Sequence, residues 1–205
     1  MNAHEHIQPG DHLAVDYPSF MGRRIKATLS TRKRRCHHWH DAIIVKRDGK
    51  LCVYNETWPY SRIDDLQEYL DWVIKKRGRW AVTRPVWLDA KPADLKAQWR
   101  RHIDTSAYFM TGNRYPLKDL WCIYKKQNRL LRRVRILKPN ERAHFYCTSA
   151  VLHLWQRNPV HSWTPDTLAG QRLPAPIHME HAMRDGDLVF VLQSAPGFFE
   201  QMAQP

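Results

Sequence analysis

Two short runs of β-branched and aromatic residues, 40–45 and 51–56, flank the punctuation Lys46-Arg47-Asp48-Gly49-Lys50. An Asp-Gly step between such runs predicts a β-hairpin. Two turns are open. A two-residue Asp48-Gly49 loop pairs Arg47 with Lys50 and sets Glu56 opposite Asp41. A three-residue loop with a bulge at Gly49 pairs Lys46 with Lys50 and sets Glu56 opposite His40. Directly opposed residues share a face of the sheet.

Further strands are predicted over 7–15, after the Pro9-Gly10 turn, and over 187–192, after Asp185-Gly186. Residues 80–88 also read as a strand, and Pro85 within it predicts an edge position. A helix is predicted over 64–74, acidic at its front and basic at its rear, with Leu66, Tyr69, Leu70 and Val73 on one stripe. Pro92 opens a second helix carrying Leu95, Trp99, His102 and Ile103 at helical spacing. A third helical stretch runs from Leu117 towards Tyr124, and 129–137 reads as a strand or a basic helix. Residues 19–35 read as a loop or short helix. Thr164-Pro165 has the form of a helix start. Ala150, Val151, Leu154 and Trp155 make an apolar helical stripe that places Cys147 at or beside a helix N-terminus.

The chain has 205 residues, enough for one substantial core, and 43% apolar residues with nine Trp exclude a disordered chain. A single domain over 1–205 is expected. There is neither a basic-then-apolar start nor an apolar run long enough for a membrane span, so the expectation is a soluble chain, cytoplasmic or exported by a signal-independent route. The four cysteines lack CxxC spacing and read as thiols. The net charge of +13 implies attraction to something acidic. Its clusters are Arg23, Arg24, Lys26 and 32–35, then Lys125, Lys126, Arg129, Arg132, Arg133, Arg135 and Lys138. Nucleic acid, anionic lipid, an anionic wall polymer, or solvent alone would satisfy such surfaces. No familiar nucleic-acid motif accompanies them.

Cys147 is the candidate nucleophile, since unpaired N–H groups and the dipole at a helix N-terminus stabilise a thiolate and could also hold an oxyanion. His40 is the candidate base and Glu56 its orienter, in the third role of a triad. On that reading the Cys147 pKa is depressed. His144 is a lower-ranked base. Cys36, Cys52 and Cys122 have no comparable setting. His37, His38 and His40 beside Cys36 invite a metal reading, but no second His/Cys pair has suitable spacing, so neither metal nor cofactor is expected. Tyr54, Tyr146 and Thr148 are candidates to line a substrate cleft.

Four blocks in order, Pro9-Gly10-Asp11, His40-Asp41-Ala42-Ile43-Ile44-Val45, Val53-Tyr54-Asn55-Glu56 and Tyr146-Cys147-Thr148-Ser149, resemble the circularly permuted papain-like cysteine hydrolases of the NlpC superclass, YiiX-like branch. Lecithin:retinol acyltransferase is a more distant relative. The resemblance implies an α+β, permuted papain-like (NlpC-like) fold with a small antiparallel sheet or half-barrel packed on helices. It implies Cys147 as nucleophile, His40 as base and Glu56 as polar third residue, with His12 and Tyr17 bordering the cleft. Thr148 stands where relatives often carry Ser. Only the three-residue turn sets Glu56 opposite His40, and the resemblance favours it. The implied activity is a thiol hydrolase cleaving an amide, first a peptidoglycan-type or other peptide endopeptidase or amidase, in some relatives a toxin delivered into neighbouring cells. The alternatives are a lipid or N-acyl amidase or acyltransferase, and a non-catalytic basic module binding nucleic acid or anionic lipid.

Overall fold

A computed structural model describes residues 6–30, 35–57, 59–115, 147–169 and 174–203. Among them a six-stranded antiparallel sheet has the order β4-β3-β2-β1-β5-β6. The strands are β1 (His12–Asp16), β2 (His40–Arg47), β3 (Lys50–Asn55), β4 (Arg62–Asp65), β5 (Arg79–Pro85) and β6 (Leu188–Gln193). The fold class is α+β, as expected. The 80–88 strand is not an edge: β5 lies between β1 and β6. Pro85 is its last residue, where a missing N–H costs the ladder least.

The hairpin closes through the two-residue turn, correcting the bulged register favoured above. Arg47 pairs with Lys50 and Ile43 with Tyr54, and both turn residues take positive φ, Asp48 at 50° and Gly49 at 82°. That is the backbone of a type I′ turn, whose twist matches the strands it joins. Side chains alternate along a strand, so this register decides which β3 residues share a face with His40.

One face carries Leu13, Val15, Ala42, Ile44, Val53 and Val82, and α2 (Leu66–Lys75) covers it with Leu66, Tyr69, Leu70 and Val73. Asp65 starts that helix, its Oδ1 accepting the Glu68 N–H at 3.1 Å, and each fully buried α2 side chain contributes about 1.5–3 kcal/mol. The other face carries Ala14, Ile43, Val45, Tyr54 and Ala81. Against it pack α4 (Ala93–Met110), through Trp99, Ile103, Ala107 and Met110, and α5 (Cys147–Gln156), through Ala150, Val151, Leu154 and Trp155. Leu95, placed on the α4 stripe by spacing alone, is exposed.

Between β1 and β2 runs α1 (Phe20–Leu29), capped by Ser19, whose Oγ accepts the Gly22 N–H at 2.8 Å. A Cβ on Gly22 would lie 2.4 Å from Trp39 Nε1, so the absence of a side chain there lets Trp39 seat against the helix. Thr164-Pro165 leads into a single 3₁₀ turn, Asp166–Leu168. The remaining helices are α3 (Val86–Asp89), α6 (Pro176–Arg184) and α7 (Phe198–Ala203). The predicted elements over 117–124 and 129–137, with the second basic cluster, lie outside the described residues. No helix among the described residues is long and apolar enough to cross a membrane.

Candidate functional site

His40 begins β2, and Asn55, the last residue of β3, is its diagonal neighbour on the same face, two positions from the residue directly opposite in the register set by Ile43 and Tyr54. His40 Nε2 lies 3.2 Å from Asn55 Oδ1. The Asn55 amide is not free to flip, because its Nδ2 donates to Asp64 Oδ2 at 2.9 Å, an oxygen that also accepts from Arg62 Nε at 2.9 Å. This leaves Asn55 Oδ1 as an acceptor for His40, so the network assigns the ring proton to Nε2 and the lone pair to Nδ1. Burial lowers the His40 pKa against the opposing pull of Asn55, and the ring is a neutral imidazole with a basic nitrogen.

Glu56 is not the partner of His40. Under the two-residue turn it follows Asn55 onto the opposite face, where it is buried and its Oε1 accepts the Tyr54 hydroxyl. Its Oε2 has no hydrogen-bond partner among the described residues. Burial raises this carboxyl to about 8 despite Tyr54, so Glu56 is a neutral acid at physiological pH. Tyr54 is 1% exposed and belongs to the core rather than to a cleft wall.

Cys147 is the first residue of α5, as the apolar stripe predicts. The backbone N–H groups of Asp41 and Thr148 point at its sulfur, which seats the thiol against the peptide joining His40 to Asp41. The expected depression of its pKa is reversed. Burial first, and then the Asp41 carboxylate, push it up to about 12, outweighing the N–H groups. The Cys147 thiol and the His40 imidazole are both neutral at rest.

The residue that spacing passed over is Asp41, which is fully buried. Its Oδ1 accepts from His12 Nε2 at 2.8 Å and from His38 Nε2 at 2.7 Å, and its Oδ2 accepts the Thr148 hydroxyl. The far nitrogens are also held: His12 Nδ1 lies 3.0 Å from Thr83 Oγ1, and His38 Nδ1 lies 2.9 Å from Glu180 Oε1. Glu180 Oε1 further accepts the N–H groups of His37 at 2.7 Å and His38 at 3.1 Å. Burial works against an imidazolium at His38, but Asp41 and Glu180 overcome it and lift the ring to about 10. In turn the His38 charge and the two ring N–H groups hold the Asp41 carboxyl well below the usual range, against its burial. Burial lowers His12, which stays neutral.

His12 and Thr148, expected beside a cleft, are therefore members of this buried network. Tyr17 is half-buried in an aromatic stack, its ring 4.7 Å from Trp39 and 4.9 Å from Trp72, and the Trp39 ring lies 5.7 Å from that of His40. Tyr17 thus borders His40 through Trp39. Tyr146, Cys122 and His144 lie outside the described residues. Cys36 and Cys52 are buried free thiols. Asn55 was legible in one way only: had the commoner Asp-Gly turn been taken at face value, parity alone would have put Asn55 beside His40.

No protein-family model matches the chain, and no curated protein matches it. Among solved structures the chain is similar to the metalloprotein YiiX of Escherichia coli O157:H7, a DUF1105 protein, at 14% identity and a TM-score of 0.50, over 87% of this chain and 81% of that one. The chain has a YiiX-like fold.

Proposed function

We propose that this protein is a cysteine hydrolase of permuted papain-like architecture that cleaves an amide, with Cys147 as nucleophile, His40 as base and Asn55, rather than Glu56, as the residue that orients the base. The observation carrying this reading is the His40 Nε2 to Asn55 Oδ1 contact at 3.2 Å, set beside a thiol that begins a helix and lies against the His40–Asp41 peptide. The order of the chain, base and orienter on paired strands before a nucleophile on a later helix, supports the permuted arrangement.

The chemistry follows from the protonation states. A thiol held near 12 is not pre-ionised, so Sγ attacks the carbonyl carbon as its proton moves to His40 Nδ1. Asn55 Oδ1 steadies the Nε2–H of the imidazolium that forms. His40 returns the proton to the leaving amine, the thioester remains on Cys147, and water activated by His40 releases the acid. Peptidoglycan-type peptide is the substrate proposed first, with a lipid or N-acyl conjugate second. Exposed Arg23 and Arg24 on α1 suit an anionic surface near either substrate.

The test is mass spectrometry of the intact protein incubated with stem-peptide amides and N-acyl amides. An acyl adduct mapped to Cys147, together with loss of turnover in Cys147→Ala and in His40→Ala, is the expected result. Undiminished turnover in Cys147→Ala rejects the mechanism.

A further inference from the structure

We infer that His12, His38 and Asp41 form a binding site for one divalent first-row transition-metal cation of the zinc type. The inference does not depend on the hydrolase reading. One donor atom from each of the three residues lies within 4.8 Å of the others, and all three residues are fully buried. Two imidazoles and one carboxylate suit a borderline cation far better than magnesium or calcium, which take oxygen ligands. One small oxygen ligand such as water would complete a tetrahedron.

A second observation concerns the far side of each ring. A metal-bound histidine nearly always has its other nitrogen held by a carboxylate, a hydroxyl or a carbonyl, which fixes the tautomer and the ring plane. Both rings are held in that way, His12 Nδ1 by Thr83 Oγ1 at 3.0 Å and His38 Nδ1 by Glu180 Oε1 at 2.9 Å. The third ligand is held likewise, since Asp41 Oδ2 accepts the Thr148 hydroxyl. Every donor therefore has an outer partner on a different element: Thr83 on β5, Glu180 on α6, Thr148 on α5.

The carboxylates are the third observation. Asp41 and Glu180 bring two of them into the interior, and among the described residues the ion-pair partners of both are histidines. A cation held by His12 Nε2, His38 Nε2 and Asp41 Oδ1 leaves the Thr83 and Glu180 contacts of the far ring nitrogens in place.

The experiment uses tag-free full-length protein, stripped with chelator and titrated with Zn²⁺ and separately with Co²⁺. Expected are one equivalent of zinc by elemental analysis, a higher thermal midpoint, and a visible cobalt spectrum without a thiolate-to-metal band. His38→Gln should abolish uptake, and Glu180→Gln should weaken it about 10–100-fold, the usual effect of losing an outer partner. Cys36→Ser and Cys147→Ser should leave it unchanged. Folded wild-type protein that takes up no metal and gains no stability overturns the inference, whatever the variants do. So does one equivalent that survives His38→Gln or is lost in either serine variant.

Discussion

Glu56→Gln gives the sharpest measurement of the register. In the folded protein the Glu56 carboxyl sits at about 8 against an ordinary 4.5, because it is 2% exposed and only one of its oxygens has a partner among the described residues. Its folded pKa is raised, so between those two values the folded state holds a proton that the unfolded chain has released. The sign is then fixed. Stability from this group is fully present below pH 4.5, falls as pH rises, and is lost by the time pH passes 8. A displacement of this size corresponds to about 3–5 kcal/mol across the window. The substituted amide keeps an oxygen for the Tyr54 hydroxyl but cannot ionise, and its N–H₂ group lacks a partner at a cost of about 1–2 kcal/mol. The two proteins should therefore cross. The variant is the less stable at pH 5 by about 1 kcal/mol and the more stable at pH 8.5 by about 2 kcal/mol, net of that cost. Urea denaturation at half-unit steps from pH 4.5 to 9 reads this, and subtracting one protein from the other cancels the titrations they share. A difference that stays flat over the window refutes the argument, and with it the burial of Glu56 on the far face from His40.

Four further outcomes are expected. Asn55→Ala should lower kcat by about 10²-fold through loss of the imidazolium's partner, whereas Glu56→Ala should alter it by less than about threefold; the reverse ranking, measured on whichever amide acylates Cys147, would reinstate Glu56 as orienter. With its thiol held near 12, Cys147 in the folded protein should alkylate about a thousandfold more slowly at pH 7 than a free thiol, accelerating tenfold per pH unit past pH 9; site-resolved mass spectrometry that finds a plateau by pH 8 contradicts the assignment. Gly22→Ala should cost about 1–3 kcal/mol by driving a methyl into Trp39, which also breaks the 3.1 Å bond from Trp39 Nε1 to Tyr17 O; an unchanged denaturation midpoint and unchanged tryptophan fluorescence count against it. Thr83→Val should cost about 1–2 kcal/mol by stranding His12 Nδ1, and a neutral result in thermal unfolding would mean that the bond is dispensable.

Local chemistry made much of this fold legible. Asp48-Gly49 announced the hairpin, the Leu66, Tyr69, Leu70 and Val73 stripe gave α2, and the stripe behind Cys147 gave α5. What failed did so for identifiable reasons. Residue parity in a strand is all-or-none, so choosing the bulged turn moved the expected partner of His40 from Asn55 to Glu56 in one step. The strand β4 is four residues, Arg62–Asp65, with polar side chains at most positions, and it exists because β3 offers it a ladder rather than because its own pattern demands one. Pro85 misled because it sits at the end of β5, where a proline is tolerated in an interior strand. The cluster around Asp41 gathers His12, His38, Thr83, Thr148 and Glu180 from five separate stretches of chain, and no local spacing encodes such a meeting.

The strand order also has a kinetic meaning. Strands β1 to β5 all come from the first 85 residues, and the β2–β3 hairpin closes over two, so the sheet segment that carries His40 and Asn55 assembles from nearby contacts. The partner of β5, β6, returns only after an intervening chain on the order of a hundred residues, and the Cys147 helix lies inside that excursion. Contacts of such separation bear their closure entropy before any pairing repays it, and they form late. The strand pair that carries His40 and Asn55 is thus expected to be in place before the Cys147 helix docks on the sheet. The contact between His40 and Asn55 therefore precedes the arrival of Cys147 and does not wait for the last strand.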